Sequence, residues 1–402
     1  VYGNPMNSTS TPAPTTVSGH SLSITGLGMV TSLGRVVQAC AAARAGLTRW
    51  TELDAEATDE DTLEVEPLRG HAVRGLTEGF EGTGRLVRLG NAALEDLFRE
   101  ADLARAAPTR TAVLLCLPGD FYEEAHLERR ELASLPEGAL KQQLRTRDRA
   151  EREGRRQSLE RRLIPQLLAL QQPLLRPHVS ECFFGGGAVL ARALQRAMEL
   201  MGSRTVERCI VGAIDTYVHG RPLEVVRGLG LVRSPNVATG FFPGEAAAFL
   251  LVERPDAARH RGARVQAVLR ASATAQEPFH RFSGVTPAGA ALSEAIAACA
   301  RHAAPGLRDV GRTIVSLNGD DFRAMDFGNT LLRLGNAGLS TAFGHVFPAE
   351  HFGELGAATG PVAVCLGVRA LARGYAGGRC ILGALLSDDT SRGAFLLEAP
   401  EG

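Results

Sequence analysis

Apolar and polar residues along this chain fall into blocks whose period changes. Short continuous apolar runs, bounded by glycine, proline or charge, read as buried strands. They are SLSITGLG from Ser21, RTAVLLCLPG with its Pro-Gly stop, CIVGAID, GEAAAFLLVERP at 244–255, RVQAVLRASA, TIVSLNGDD running into an acidic turn, CILGALLSD and GAFLLEAP. Helical spacing marks residues 35–46 and 84–101, the latter with Leu86, Leu89, Ala93, Leu94 and Leu97 on one side. It also marks SEAIAACARHA, the small-residue stretch GAATGPVAVCLGVRALARG, and a helix expected after Pro165. Strands that alternate with helices make the chain α/β. There is also an internal echo. AAAFLLVERP closes the first part and GAFLLEAP closes the chain, while TIVSLNG matches SITGLG. Two similar halves are expected, each ending in an edge-like strand.

Two segments break the pattern. VYGNPMNSTSTPAPTT is polar, rich in Ser, Thr and Pro, and lacks an apolar core, so residues 1–20 are expected to be a disordered tail, with Met6 a candidate start. Residues 121–164 are polar, dense in Glu and Arg and helix-prone, and Arg145–Arg162 is locally basic. Such a segment is a solvated helical excursion or a docking face for an acidic partner.

Composition narrows the function. At 402 residues the chain can bury a large core in two packed halves. Forty-four basic residues balance 44 acidic ones, so bulk charge indicates no nucleic-acid partner, and no apolar run is long enough to cross a bilayer. Lys141 is the only lysine. Seven cysteines stand singly, without CxxC or Cys/His zinc spacing, so no disulfide framework, metal site or cofactor is expected, and the reduced cytoplasm is the natural compartment. Cys182, in SECFFGGGAVLARAL, precedes a glycine run that leads into an apolar helix. A helix start can lower a thiol pKa and hold an oxyanion, but buried free cysteine is equally ordinary.

SITGLGMVTSLG (23–34) resembles the opening strand and turn of the β-ketoacyl synthases. The stretch 228–269, with PGEAAAFLLVERP at its centre, is similar to that family's mid-chain block, and GELGAATGPVAVCLGVRAL to the region near its C-terminus. The resemblance implies a thiolase-like fold: two pseudo-duplicated halves in a five-layered α/β/α/β/α sandwich, residues 21–255 and 256–402, with 121–164 an insertion. It also implies a homodimer, or a heterodimer with a ketosynthase-like chain, and an acyl carrier protein or another protein client as partner.

The resemblance implies a position in this chain for each of the family's catalytic features. Its nucleophilic cysteine, at the N-terminus of the buried helix, falls at Cys182 or Phe183, with the bulky Phe183 and Phe184 where the family keeps small residues. Its first histidine falls at Asn318, with the following aspartate at Asp326, and its second at Glu354. An asparagine cannot relay a proton as imidazole does, and a carboxylate has the wrong sign for an oxyanion. The lysine position holds Ala349, and a glycine-rich turn is replaced by SDDTSR, with Asp388 and Asp389. The turns carrying Asp320, Asp321, Asp388 and Asp389 are expected to converge at this site, as a solvated cluster, part of a binding pocket, or a holder of a cationic ligand.

The expected function is that of a β-ketoacyl synthase-like chain with a degenerate active site, acting as a non-catalytic partner, scaffold or adaptor. The alternative is an acyltransferase or 3-oxoacyl-carrier-protein synthase that forms an acyl thioester on Cys182, with His345 or His351 as base.

Overall fold

The computed structural model describes residues 16–18, 20–102, 110–171, 176–302, 309–338 and 344–401. Met6 and most of the N-terminal tail lie outside the described residues. The end of that tail, expected to be disordered, is ordered: Thr16–Ser18 is a strand, β1, paired with β10 of the second half.

The first half runs β2 (Leu22–Thr31), β3 (Gly34–Arg35), α1 (Val36–Arg44), a hairpin of β4 (Thr51–Thr58) and β5 (Val65–Gly70), α2 (Gly82–Glu100), β6 (Thr111–Pro118), α3 (Phe121–His126), α4 (Ala139–Leu170), β7 (Val179–Gly185), α5 (Val189–Gly202), β8 (Arg208–Thr216), α6 (Gly220–Gly228) and β9 (Glu245–Glu253). Helix α7 (Pro255–His260) leads into the second half. That half runs β10 (Ala267–Gln276), α8 (Ala290–Ala300), β11 (Val310–Val315), α9 (Asp321–Asn336), β12 (Gly344–Val346), α10 (Ala349–Phe352), α11 (Thr359–Ala372), β13 (Cys380–Leu386) and β14 (Ser391–Glu398).

The strand order exposes the duplication. The first half reads β7-β6-β8-β9-β2 and the second β12-β11-β13-β14-β10, joined through β2 and β10. In each half the first two pairings are parallel and the remaining two antiparallel. The echo between AAAFLLVERP and GAFLLEAP is therefore β9 against β14. These strands are interior, each flanked by two neighbours, and not edge-like. The match of TIVSLNG to SITGLG does not follow the topology, since β2 corresponds to β10 and β11 to β6.

Three apolar clusters define the layers. The largest lies between the two sheets and buries α5 and α11. The second packs α2 and the end of α4 on the outer face of the first sheet, and the third packs α8 and α9 on the second. Helices, sheet, helices, sheet, helices make a five-layered α/β/α/β/α sandwich. Small residues let the central helix fit: every residue of α11 from Thr359 to Val368 is buried. No helix among the described residues is long and apolar enough to cross a membrane.

Helix α4 corrects the expected boundary at Pro165. It runs 32 residues, straight through that proline. Pro165 is exposed near the C-terminal end, where the hydrogen bond it removes leaves a carbonyl that water can satisfy.

One packing feature is duplicated in detail. Gly212 on β8 faces Phe249 on β9, and Gly383 on β13 faces Phe395 on β14. A Cβ at either glycine would overlap the facing ring. Each ring thus lies over bare backbone, which fixes the register of the inner strands. Gly212→Ala and Gly383→Ala are each expected to cost about 1–3 kcal/mol by overpacking. The midpoint of urea unfolding reads this directly, and an unchanged midpoint for both variants contradicts it.

Candidate functional site

The strand ends of β6, β7, β8 and β13 and the start of α5 meet in a cavity of about 290 Å³. Its floor is the Gly185–Gly187 run at the start of α5, and its walls include Tyr122, Tyr217, Arg323, Glu354, Ser387 and Asp388. It shares Tyr122, Arg152, Arg156, Phe184 and Tyr217 with a larger cleft of about 990 Å³ that runs beneath α4.

Two of the residues singled out in the sequence meet here. Asn318 Nδ2 donates to Glu354 Oε2 at 2.7 Å, with both side chains buried. The sequence did not reveal what joins them. Arg323, in the first turn of α9, reaches into the same space. Its Nη1 donates to Glu354 Oε2 at 2.6 Å and to the Ser316 carbonyl at 3.1 Å, and its Nε to Asp388 Oδ1 at 2.6 Å. The Tyr122 hydroxyl donates to the other oxygen of Asp388 at 2.8 Å. Arg281 pairs with Asp320 and approaches Asp388 at 3.6 Å. Asp320 also caps α9, accepting from the Phe322 N–H at 2.8 Å, and so fixes the turn that aims Arg323 inward.

Charges so deeply buried survive only by mutual compensation. Burial alone would drive the Arg323 guanidinium toward losing its proton, but Asp388 and Glu354 outweigh it and raise its pKa well above the ordinary value. Burial likewise pushes the Asp388 carboxyl up, and Arg323 and Arg281 more than reverse this, holding it below the usual carboxylate range. The expectation of a solvated acidic cluster therefore fails for Asp320 and Asp388, which are buried ion-pair partners, while Asp321 is exposed. Asp389 sits at the turn before β14, accepting from the Ser391 N–H at 2.6 Å. Arginines of the chain itself take the place of a cationic ligand, and no group of three or more His, Cys, Asp or Glu among the described residues is placed to hold a metal.

Asp326 does not line this cavity. It forms a separate, fully buried pair with Arg392 at 2.5 Å.

The cysteine expected at a helix start is elsewhere. Cys182 lies within β7, whose alternation turns Cys182 and Phe184 to the outer cluster and Phe183 to the central one. Cys182 lines a different crevice, with Glu160, Ile164, Pro165 and Arg176. Burial, with Glu160 adding to it, pushes its thiol up to about 11, so very little is thiolate at neutral pH. His345 is on β12 and Cys182 on β7, the two strands at opposite ends of the sheet path. His345 packs against Phe327 and Phe347, and His351 bonds the Leu47 carbonyl. Neither is assembled with Cys182.

The residues at the α5 start are Gly185, Gly186, Gly187 and Ala188. A Cβ at Gly186 would stand 3.0 Å from Ser387 Oγ, and one at Gly187 2.8 Å from the Leu386 carbonyl oxygen. The Ser387 hydroxyl accepts the Ala188 N–H at 2.9 Å. The turn after β13 therefore closes on the helix start: a Cβ at Gly187 would overlap the Leu386 carbonyl, and one at Gly186 would press on the Ser387 hydroxyl. Of the other sequence candidates, Phe184 lines the cavity beneath the Arg156 guanidinium, which lies 4.4 Å from its ring centroid, and Phe183 does not.

The chain matches a chain of the solved structure described as "AntDE:AntF (apo): type II PKS acyl-carrier protein in complex with its ketosynthase bound to the hexaketide" with a TM-score of 0.71 at 14% identity, covering 95% of this chain and 100% of that one. The chain has the thiolase-like fold of the ketosynthases. The ishigamide ketosynthase/chain length factor matches with a TM-score of 0.69 at 15% identity over 96% of this chain and 100% of its own. A ketosynthase domain of the oxazolomycin system of Streptomyces albus gives 0.67 at 15% identity, over 96% of this chain and 74% of its own. No family model and no curated protein matches the chain. Within the ketosynthase fold, the strand ends and the start of the central helix are where this chain gathers its buried charges.

Two predictions follow from the charges. Arg323→Met leaves two buried carboxylates without their shared cation and is expected to cost about 3–5 kcal/mol. The triple variant Arg323→Met/Glu354→Gln/Asp388→Asn is expected to recover most of that loss in denaturant unfolding, and equal loss in both variants contradicts the pairing. Asp215 supplies a pH signature. Its carboxyl accepts the Ala357 and Thr216 N–H groups at 2.8 Å each. Burial pushes it up to about 7 from 3.8; the two N–H groups oppose the shift and Glu354 adds to it. The folded state thus binds this proton more tightly than the unfolded state, and the resulting stability is present below pH 4 and lost as pH rises to 7. Asp215→Asn is expected to gain stability relative to the parent protein across that window, and a constant difference between the two contradicts the shift.

Proposed function

We propose that this chain is a non-catalytic ketosynthase-like subunit that pairs with another thiolase-fold chain and holds a protein client. The observation that carries this reading is Arg323, clamped between Glu354 and Asp388 in the cavity where a ketosynthase-like chain would keep its reacting groups. Condensation in the family that the sequence resembles needs a thiol at the helix start, imidazoles for the malonyl thioester, and donors aimed at an oxyanion. Here the residues leading into the helix are glycines crowded by Ser387 and Leu386, the imidazole positions hold Asn318 and Glu354, and the Asn318 amide is bonded to Glu354. Arg323 is neutralised by two carboxylates, so it adds little net positive potential for an enolate.

Pairing has a physical basis at β7. Among the described residues this strand bonds only to β6, as an edge strand, and it carries the half-buried run Cys182-Phe183-Phe184. An unpaired strand with apolar residues is a template for a strand from another chain, either a second copy or a ketosynthase-like partner. The neighbour described as a ketosynthase/chain length factor is of that paired kind. The client surface is α4, which carries nine basic residues against four acidic ones, with Arg149 and Arg162 exposed and free of ion pairs among the described residues. An acidic carrier protein or another acidic client is complementary to it. The acyltransferase alternative gains no support, because Cys182 and its two expected bases are not assembled.

Release of carbon dioxide from a malonyl thioester of a carrier protein tests the reading. The isolated chain is expected to release none above the buffer rate, and Gly186→Cys is expected to remain inactive because Asn318 and Glu354 stand where the family's imidazoles are expected. Decarboxylation by the unmodified chain overturns the proposal.

A further inference from the structure

The far end of the strands, away from this cavity, carries a second concavity. It has a volume of about 730 Å³ and lies between the C-terminal ends of α2 and α11 and the turn after α7. Four arginines line it: Arg261 and Arg264 from the turn, Arg369 and Arg373 from α11. The acidic groups of the wall are Glu100 and Asp102.

The four cations are not equivalent. Arg261 is spent on Glu253, with Nη2 to Oε2 at 2.7 Å. Arg264, Arg369 and Arg373 make no ion pair or side-chain hydrogen bond among the described residues. Arg369 and Arg373 are four residues apart, on one side of α11 at its C-terminal end, where the helix dipole favours cations. On α4, by comparison, four of the eight arginines are in ion pairs: Arg145, Arg147, Arg152 and Arg155. The positive field extends beyond the concavity. Arg44 stacks on Tyr375 at 4.2 Å, and Arg369, Arg44 and Arg312 together favour the phenolate form of that tyrosine, although burial outweighs them.

Guanidinium forks gathered on one concavity, outnumbering the Glu100 and Asp102 carboxylates of its wall, suit one ligand chemistry best. Phosphate oxygens accept paired N–H bonds from arginine, and several forks around one concavity match a multiply charged anion better than a single carboxylate. The volume is in the range that encloses a nucleotide-sized molecule. We propose that this concavity binds a small molecule through a di- or polyphosphate group held by Arg264, Arg369 and Arg373. The site is separate from the Arg323 cavity and does not rest on the function proposed for it.

Calorimetric titration of the full chain at low ionic strength, with inorganic pyrophosphate and with ATP as probes, tests this. Pyrophosphate is expected to bind with a dissociation constant below millimolar. Arg369→Ala/Arg373→Ala is expected to weaken it at least tenfold, and Arg161→Ala/Arg162→Ala on α4 to leave it unchanged. Should the α11 double variant fail to fold, Arg264→Ala, in an exposed turn, is expected to weaken binding by at least threefold. Tighter binding of ATP than of pyrophosphate assigns a nucleotide, and equal binding assigns the phosphate chain alone. No binding of either probe, equal loss in the α4 control, or full affinity in the folded site variants overturns the proposal.

Discussion

Arg323 is a cation taken almost wholly out of water, and the centre of this molecule is arranged to neutralise it. Glu354, from the turn before α11, and Asp388, from the turn after β13, reach it from separate segments. Asp320 sets the helix turn that carries it, and Tyr122, from the segment leading to α4, satisfies the remaining oxygen of Asp388. Elements of both halves are therefore tied at one point. Breaking such a knot at one member is costly, although the intact knot is no more stabilising than a well-packed apolar substitute. It contributes a fixed arrangement of the two halves and a cavity lined by the chain's own paired charges.

The same arrangement explains why the helix start is bare. Ser387 and Leu386 belong to the strand end and turn that carry Asp388, and they stand against Gly186 and Gly187. Ser387 satisfies the Ala188 N–H that a helix start otherwise leaves open. Lining the site with a carboxylate and crowding the helix start are thus two consequences of one turn closing inward.

The fold was legible because its signals are periodic and repeated. Apolar strand runs and the echo of β9 in β14 indicate a duplicated α/β sandwich, and the glycine–phenylalanine pairs at Gly212 and Gly383 are where that echo has packing consequences. Asn318 and Glu354 were legible because each stands at a set distance from a recognisable strand or helix. The register at Cys182 was misread because it was counted across the loop after α5, and a sequence does not mark how many of the residues in CFFGGG stay in the strand. Arg323 was missed because DFRAMDF has the pattern of an ordinary helix surface, and its partners are 31 and 65 residues away. A signal was nonetheless present. Carboxylates at Glu354 and Asp388, in positions the topology buries, require a cation, and an arginine close to Asp320 was the nearest supply.

Intact-mass analysis after incubation with acyl and malonyl thioesters, both of a carrier protein and of coenzyme A, tests the central claim most directly. The account predicts an unmodified mass with every donor, because no thiol stands at the α5 start and the Cys182 thiol is held protonated, apart from His345 and His351. An acyl adduct that disappears in Cys182→Ala would contradict it, placing a working nucleophile on β7 and making the buried charges around Arg323 bystanders to catalysis.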